Sequence, residues 1–135
     1  MNYRKELTET ILPFWLEHAM DYENGGIFTC LDEEGMIYGK EKSVWFQGRA
    51  LWTFSKAYNV IQKEPQYLKA AKALYDFLPK CQDTDGRMFF TVTEDGRGIQ
   101  KRKILFFRNL CRHRLCGILS RKQRSRSAFE RKILF

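Results

Sequence analysis

A mainly α-helical chain, with helices in antiparallel pairs and short β-hairpins in the loops, is the fold class this sequence predicts. Three stretches repeat apolar residues at helical spacing, and two shorter ones alternate apolar and polar residues about acidic Gly turns. Strands and helices do not alternate in the way that builds a parallel sheet. With 135 residues, 44% of them hydrophobic and 15% aromatic, the chain has the length of one ordinary domain and enough apolar material to bury a core.

From Tyr3 to about Met20 the positions Leu7, Ile11, Phe14 or Trp15, and His18 or Ala19 recur at helical spacing. Pro13 lacks an N–H and is expected to kink this first helix. "DYENGG" breaks it, and "GIFTCLDEEGMIYG" alternates about an acidic Gly turn, which predicts a hairpin. From Val44 to about Ile61, "VWFQGRALWTFSKAYNVI" is apolar around most of its circumference, the pattern of a helix buried on several sides. Gln47, Arg49, Thr53 and Ser55 are its polar exceptions. A surface-type helix follows from Gln66 to about Cys81, with Glu64 and Pro65 at its entry and Pro79 near its end. "GRMFFTVTEDGRG" predicts a second hairpin turning at "EDG".

The formal charge of +8 is unevenly placed. Residues 1–100 carry 12 Lys and Arg against 15 Asp and Glu, while residues 101–135 carry the other 12 basic residues against Glu130 alone. All three Trp and all six Tyr lie before the break. A domain over 1–102 and a basic tail over 103–135 are therefore expected. A dozen cations could grip phosphates with steep salt dependence, so a small nucleic-acid-binding protein using the basic C-terminal arm is the alternative functional reading.

Four cysteines, Cys30, Cys81, Cys111 and Cys116, are too sparse for the disulfide framework of a small secreted domain. Charges interrupt "KELTETILPFWLEHAMD" every few residues, so it offers neither a signal-peptide core nor a membrane span. A cytoplasmic location is expected. Cys111, His113 and Cys116 lack the second Cys/His pair of a zinc finger, so no metal is expected. The sequence holds no Gly-rich phosphate loop, Gly-x-Ser-x-Gly elbow or His-Glu-x-x-His helix.

Arg49 is the residue that points to chemistry. A guanidinium midway along an otherwise apolar helix needs acceptors or faces a heavy desolvation cost. Helical spacing sets Trp45 and Trp52 on its face, with Gln47 nearby. Aromatic faces stack on C–H surfaces while Arg binds oxygens, so Trp45, Gln47, Arg49 and Trp52 make a candidate sugar platform. The competing reading is a buried Arg paired with a core carboxylate. His18, beside Trp15 and Asp21, reads as a hydrogen-bonded packing residue rather than a general base. Glu17, Asp21 and Glu23 read as a solvated acidic run.

"FWLEHAMDYENGGIFTCLDEEGMIYG", followed by "VWFQGRALWTFSKAYN", closely resembles the N-terminal part of the N-acylglucosamine 2-epimerase family. "GGIFTCLD" and "VWFQGR" look nearer to that branch than to the cellobiose 2-epimerases, and the likeness continues through "AKALYDFL" and "DGRMFFTVTEDGRGIQKR", covering about residues 9–102. The resemblance implies an α/α barrel of helical hairpins, here incomplete, with a small-molecule sugar pocket at one end and no cofactor. It leaves a homodimer open for full-length members. The implied activity interconverts N-acetylglucosamine and N-acetylmannosamine: the ring opens, one histidine removes the C2 proton, and a second returns it from the other face. An enediolate forms between these steps, and a fixed cation stabilises it more than the ground state. Arg49 matches the pocket arginine of the family's "QGR" motif and takes that role by resemblance. Family members are several-fold longer, with their catalytic histidines far downstream; His18 and His113 do not stand at those positions. The chain is therefore expected to hold part of a sugar pocket and to be inactive alone.

After "QKR" the family continues with a helix similar to "YFFSETFA", which this chain lacks in its own frame. Reading the tail's codons one base on, with suitable synonymous choices, restores such a helix, a polar turn and the start of another helix. The repeat of "RKILF" at 102–106 and 131–135 fits the same shift. Residues 103–135 are therefore expected to be out-of-frame translation. Sequencing the gene around codons 100–105 checks this, and an intact frame there would overturn it.

Overall fold

The computed structural model of the chain describes residues 2–101. The basic tail, the boundary at 102, His113 and the zinc candidates Cys111 and Cys116 lie outside the described residues.

The chain opens with a helical run made of α1 (Tyr3–Glu6), a wide π-type turn at Leu7–Ile11, α2 (Leu12–Phe14) and a second wide turn at Trp15–Ala19. The side chain of Asn2 caps it, accepting the Lys5 N–H at 3.3 Å. The irregularity expected at Pro13 takes the form of these wide turns on either side, where the Leu12 N–H reaches back five residues to the Leu7 carbonyl. The run ends at Met20, whose backbone turns extended.

α3 (Val44–Lys56) continues through a wide turn at Ala57–Ile61, and α4 (Pro65–Phe77) tightens into a 3₁₀ turn at Leu78–Cys81. Pro65 stands at the entrance of α4, where its missing N–H costs nothing. Val44, at the start of α3, packs with Phe77 at the end of α4. Phe54, late in α3, stacks on Tyr67, early in α4. The two helices therefore run antiparallel, as the sequence predicts. Leu12 and Ala19 of the first run join Leu51, Phe54, Ala70 and Leu74 in the main core. Full burial of a side chain such as Leu74 or Phe77 contributes about 1.5–3 kcal/mol.

Both predicted hairpins form. β1 (Cys30–Leu31) pairs antiparallel with β2 (Ile37–Gly39), and β4 (Thr91–Val92) with β5 (Gly98–Gln100). The sequence reading did not anticipate β3 (Lys42–Ser43), which adds to β4 with Lys42 opposite Val92 and makes a sheet of order β3-β4-β5. Three turns share one bonding pattern. In the first, the Asp32 N–H donates to the Met36 carbonyl and the Gly35 N–H to the Asp32 carbonyl, both at 3.1 Å; Asp83–Arg87 and Thr93–Arg97 repeat it. The fourth residue of each is a glycine with positive φ, the conformation this bulged turn requires.

The described residues are thus mainly helical with small sheets, in keeping with the predicted class. None of their helices is long and apolar enough to cross a membrane.

Candidate functional site

The N-terminal turn of α3 is held by neighbours rather than by its own cap. Ser43 makes no side-chain capping bond; instead the Val44 N–H donates to the Phe90 carbonyl at 3.0 Å. Gln47, 0% exposed, fixes the next turn. Its Oε1 accepts the Ile27 N–H at 2.7 Å, and its Nε2 donates to the carbonyls of Ile27 at 2.8 Å and Ser43 at 3.2 Å. Gly26 makes this approach feasible, since a Cβ there would stand only 2.7 Å from Gln47 Oε1 and from the Phe77 ring. Both amide donors of Gln47 are committed to backbone, so its side chain holds α3 against the 26–28 segment and does not join the platform drawn from the sequence.

Arg49 emerges on the opposite side of the helix and is exposed. The expectation of a buried guanidinium in need of acceptors is therefore corrected: this side of α3 is uncovered among the described residues, so water meets the cation. The pairing with a core carboxylate is absent among the described residues as well. The Arg49 guanidinium lies over the Trp45 indole, 4.9 Å from the ring centroid. It also lines a cleft of about 220 Å³ with Trp15, Phe28, Phe46 and Thr53. Trp45 is half-buried, in edge contact with Phe46 at 5.8 Å between centroids. Trp52, 38% exposed, lies two turns along from Trp45. Arg49 and Trp45 are thus brought together, while Gln47 is drawn away. A guanidinium with one face on an indole keeps its N–H edges for oxygen acceptors.

His18 packs, its ring 4.9 Å from that of Phe14 and close against Gly35, while the Asp21 carboxylate beside it in sequence is taken by Lys42. Asp21 does not belong to a solvated run, and this is a second correction. It is 6% exposed, and its Oδ2 accepts from Lys42 Nζ at 2.6 Å. Its Oδ1 accepts the N–H groups of Glu23 and Asn24, each at 3.0 Å. Burial pushes the Asp21 carboxyl up, but the Lys42 ammonium and the Asn24 N–H together outweigh it and hold the group below the usual carboxylate range.

Lys42 is the residue that sequence reasoning missed. Its ammonium, 0% exposed, also donates to the carbonyls of Gly25 and Glu94, each at 2.8 Å. It lies over the rings of Phe28 and Phe77, each 4.7 Å from the centroid. Desolvation pulls its pKa down, opposed chiefly by Asp21. The one available signal was its place between a turn and an apolar helix, where an exposed lysine is the ordinary expectation. No cluster of three or more metal-ligating side chains occurs among the described residues.

Comparison with known proteins adds relatives to this geometry. The sequence profile of the N-acylglucosamine 2-epimerase (GlcNAc 2-epimerase) family matches residues 26–108. N-acylglucosamine 2-epimerase of Homo sapiens is 36% identical over 103 residues, covering 73% of this chain and 24% of the relative. Cellobiose 2-epimerase of Eubacterium cellulosolvens is 38% identical over 101 residues, covering 69% of this chain and 23% of the relative. The solved structure of cellobiose 2-epimerase from Spirochaeta thermophila superposes with a TM-score of 0.69 at 32% identity, covering 78% of this chain and 26% of that one. The chain thus spans about a quarter of the length of the relatives it matches, and identity does not separate the two branches.

Proposed function

This chain belongs to the N-acylglucosamine 2-epimerase family, and from that premise we propose that it carries the first part of the sugar site of a carbohydrate 2-epimerase, with Arg49 as its catalytic cation. The observation that carries the reading is the Arg49 guanidinium seated on Trp45 at the edge of an apolar cleft, with no ion pair among the described residues. Its N–H groups bind the sugar oxygens and stabilise the enediolate formed when C2 loses its proton. Trp45 and the exposed Trp52 supply stacking surface for the C–H faces of the ring. Gln47 contributes indirectly, by fixing the turn of α3 that aims Arg49.

The proposed reaction interconverts N-acetylglucosamine and N-acetylmannosamine through C2 deprotonation and reprotonation, in a cytoplasmic setting and within an α/α barrel that this chain completes only in part. Removing and returning the proton on opposite faces needs two groups. His18, the one histidine among residues 2–101, is packed on Phe14, so the chain is inactive alone in this reading.

The test is epimerisation of N-acetylmannosamine by a frame-restored, full-length protein beside the 135-residue chain. Conversion by the restored protein and none by the short chain is expected. Conversion of cellobiose in place of N-acetylmannosamine would move the substrate to the other branch, and conversion of neither would overturn the proposal.

A further inference from the structure

We infer that Lys42 is a positioning residue for the Arg49 site: its buried ammonium locks the start of α3 and the Phe28 wall of the cleft into one arrangement. The inference rests on the sugar-site reading of Arg49 and concerns how that site keeps its shape.

An ammonium has three N–H groups, and at Lys42 each has an acceptor: two in the turn closed by the Met20–Ile27 bridge and one far along the chain. Asp21 follows the first helical run, Gly25 belongs to the loop that leads to Phe28, and Glu94 lies in the turn between β4 and β5. The Phe28 ring that walls the cleft beside Arg49 packs under the same nitrogen. Lys42 itself sits in β3, two residues before α3 begins and three before Trp45. Only Ser43 separates Lys42 from the first turn of α3, so the three bonds of the ammonium restrain where that turn, and with it the indole under Arg49, begins.

A purely architectural role does not require such a group. Desolvating an ion pair offsets most of its attraction, and apolar side chains of similar volume commonly hold a core as well. What the pair adds is direction, because three bonds of fixed geometry admit one placement where an apolar contact admits several. Gln47 works beside it, since its bonds to Ile27 fix the next turn of the helix against the same loop.

The test uses the full 135-residue chain in dilute solution with the double substitution Asp21→Asn and Lys42→Met, which removes both charges at nearly constant volume. Urea melts report stability, nitrogen-15 NMR reports the Trp45 indole N–H and the Arg49 Nε–H, and titration of the frame-restored, full-length protein carrying the same substitutions with N-acetylmannosamine reports binding. The double variant is expected to stay folded, to shift both resonances, and to bind the sugar about tenfold or more weakly per folded molecule, since a small misplacement of a binding group is that costly. Gly86→Ala, in a turn where the added Cβ meets only the Gln82 side chain, is expected to lower stability through its positive φ and leave the resonances in place. Unmoved resonances in a folded double variant would overturn the inference. So would failure of that variant to fold, which would make Lys42 a support of the whole structure. Shifted resonances in the double variant, together with no sugar binding by the frame-restored, full-length protein even unsubstituted, would support the positioning role and overturn the sugar-site reading.

Discussion

Removing the carboxylate of Asp21 leaves the Lys42 ammonium buried without its ion-pair partner. Asp21→Asn alone is therefore expected to cost about 3–5 kcal/mol, read as a lower urea midpoint with an unchanged slope. Acid should act through the same group. Its folded pKa lies below its ordinary value, so the unfolded chain binds the proton more readily. The stability Asp21 contributes is present above the ordinary carboxylate value and is lost as pH falls through the depressed folded one. Titrating stability downward in pH should show a steeper acid loss in the parent chain than in Asp21→Asn. Gln47→Leu is expected to strand the Ile27 N–H and carbonyl, at about 1–3 kcal/mol for each group, with faster hydrogen exchange at the Ile27 amide as its local mark.

At the scale of elements, the three matching turns separate two costs of replacing glycine. Gly86→Ala meets only the Gln82 side chain at 3.7 Å, so it carries the positive-φ strain alone, about 1–2 kcal/mol. Gly35→Ala adds a collision with the His18 ring and should lower the thermal midpoint further; equal shifts would mean that the His18 contact is slack. The helices and both hairpins were legible because their signals are local: apolar spacing in α3 and α4, and the "DEEG" and "EDG" turns. β3 was not, since two residues carry no period and its partner Val92 is fifty residues on. Lys42 was illegible for the same reason, as two of its acceptors are backbone carbonyls that no side-chain pattern reveals. Arg49 was placed on the right helix with the right neighbour, but its exposure depends on what covers α3, which periodicity within α3 does not specify.

Across the whole molecule, Val60 of the α3 run and Tyr3 of the first run stay exposed, as do Met36 and Tyr38 of the first hairpin. Apolar surface of this kind marks a face that needs covering, and in the proposed barrel further helical hairpins cover it. The isolated chain is therefore expected to bind a hydrophobic dye and to associate as its concentration rises; a chain that binds no dye and stays monomeric at high concentration would contradict this. Because Arg49 is exposed and makes no ion pair among the described residues, its removal from the frame-restored protein should leave folding intact while slowing chemistry.

The measurement that bears most directly on the account is entry of solvent deuterium at C2 of N-acetylmannosamine, catalysed by the frame-restored protein and by its Arg49→Ala variant. Exchange is expected in the first, with a loss of about a hundredfold to a thousandfold in the second at an unchanged melting temperature. Equal exchange by both proteins would contradict it.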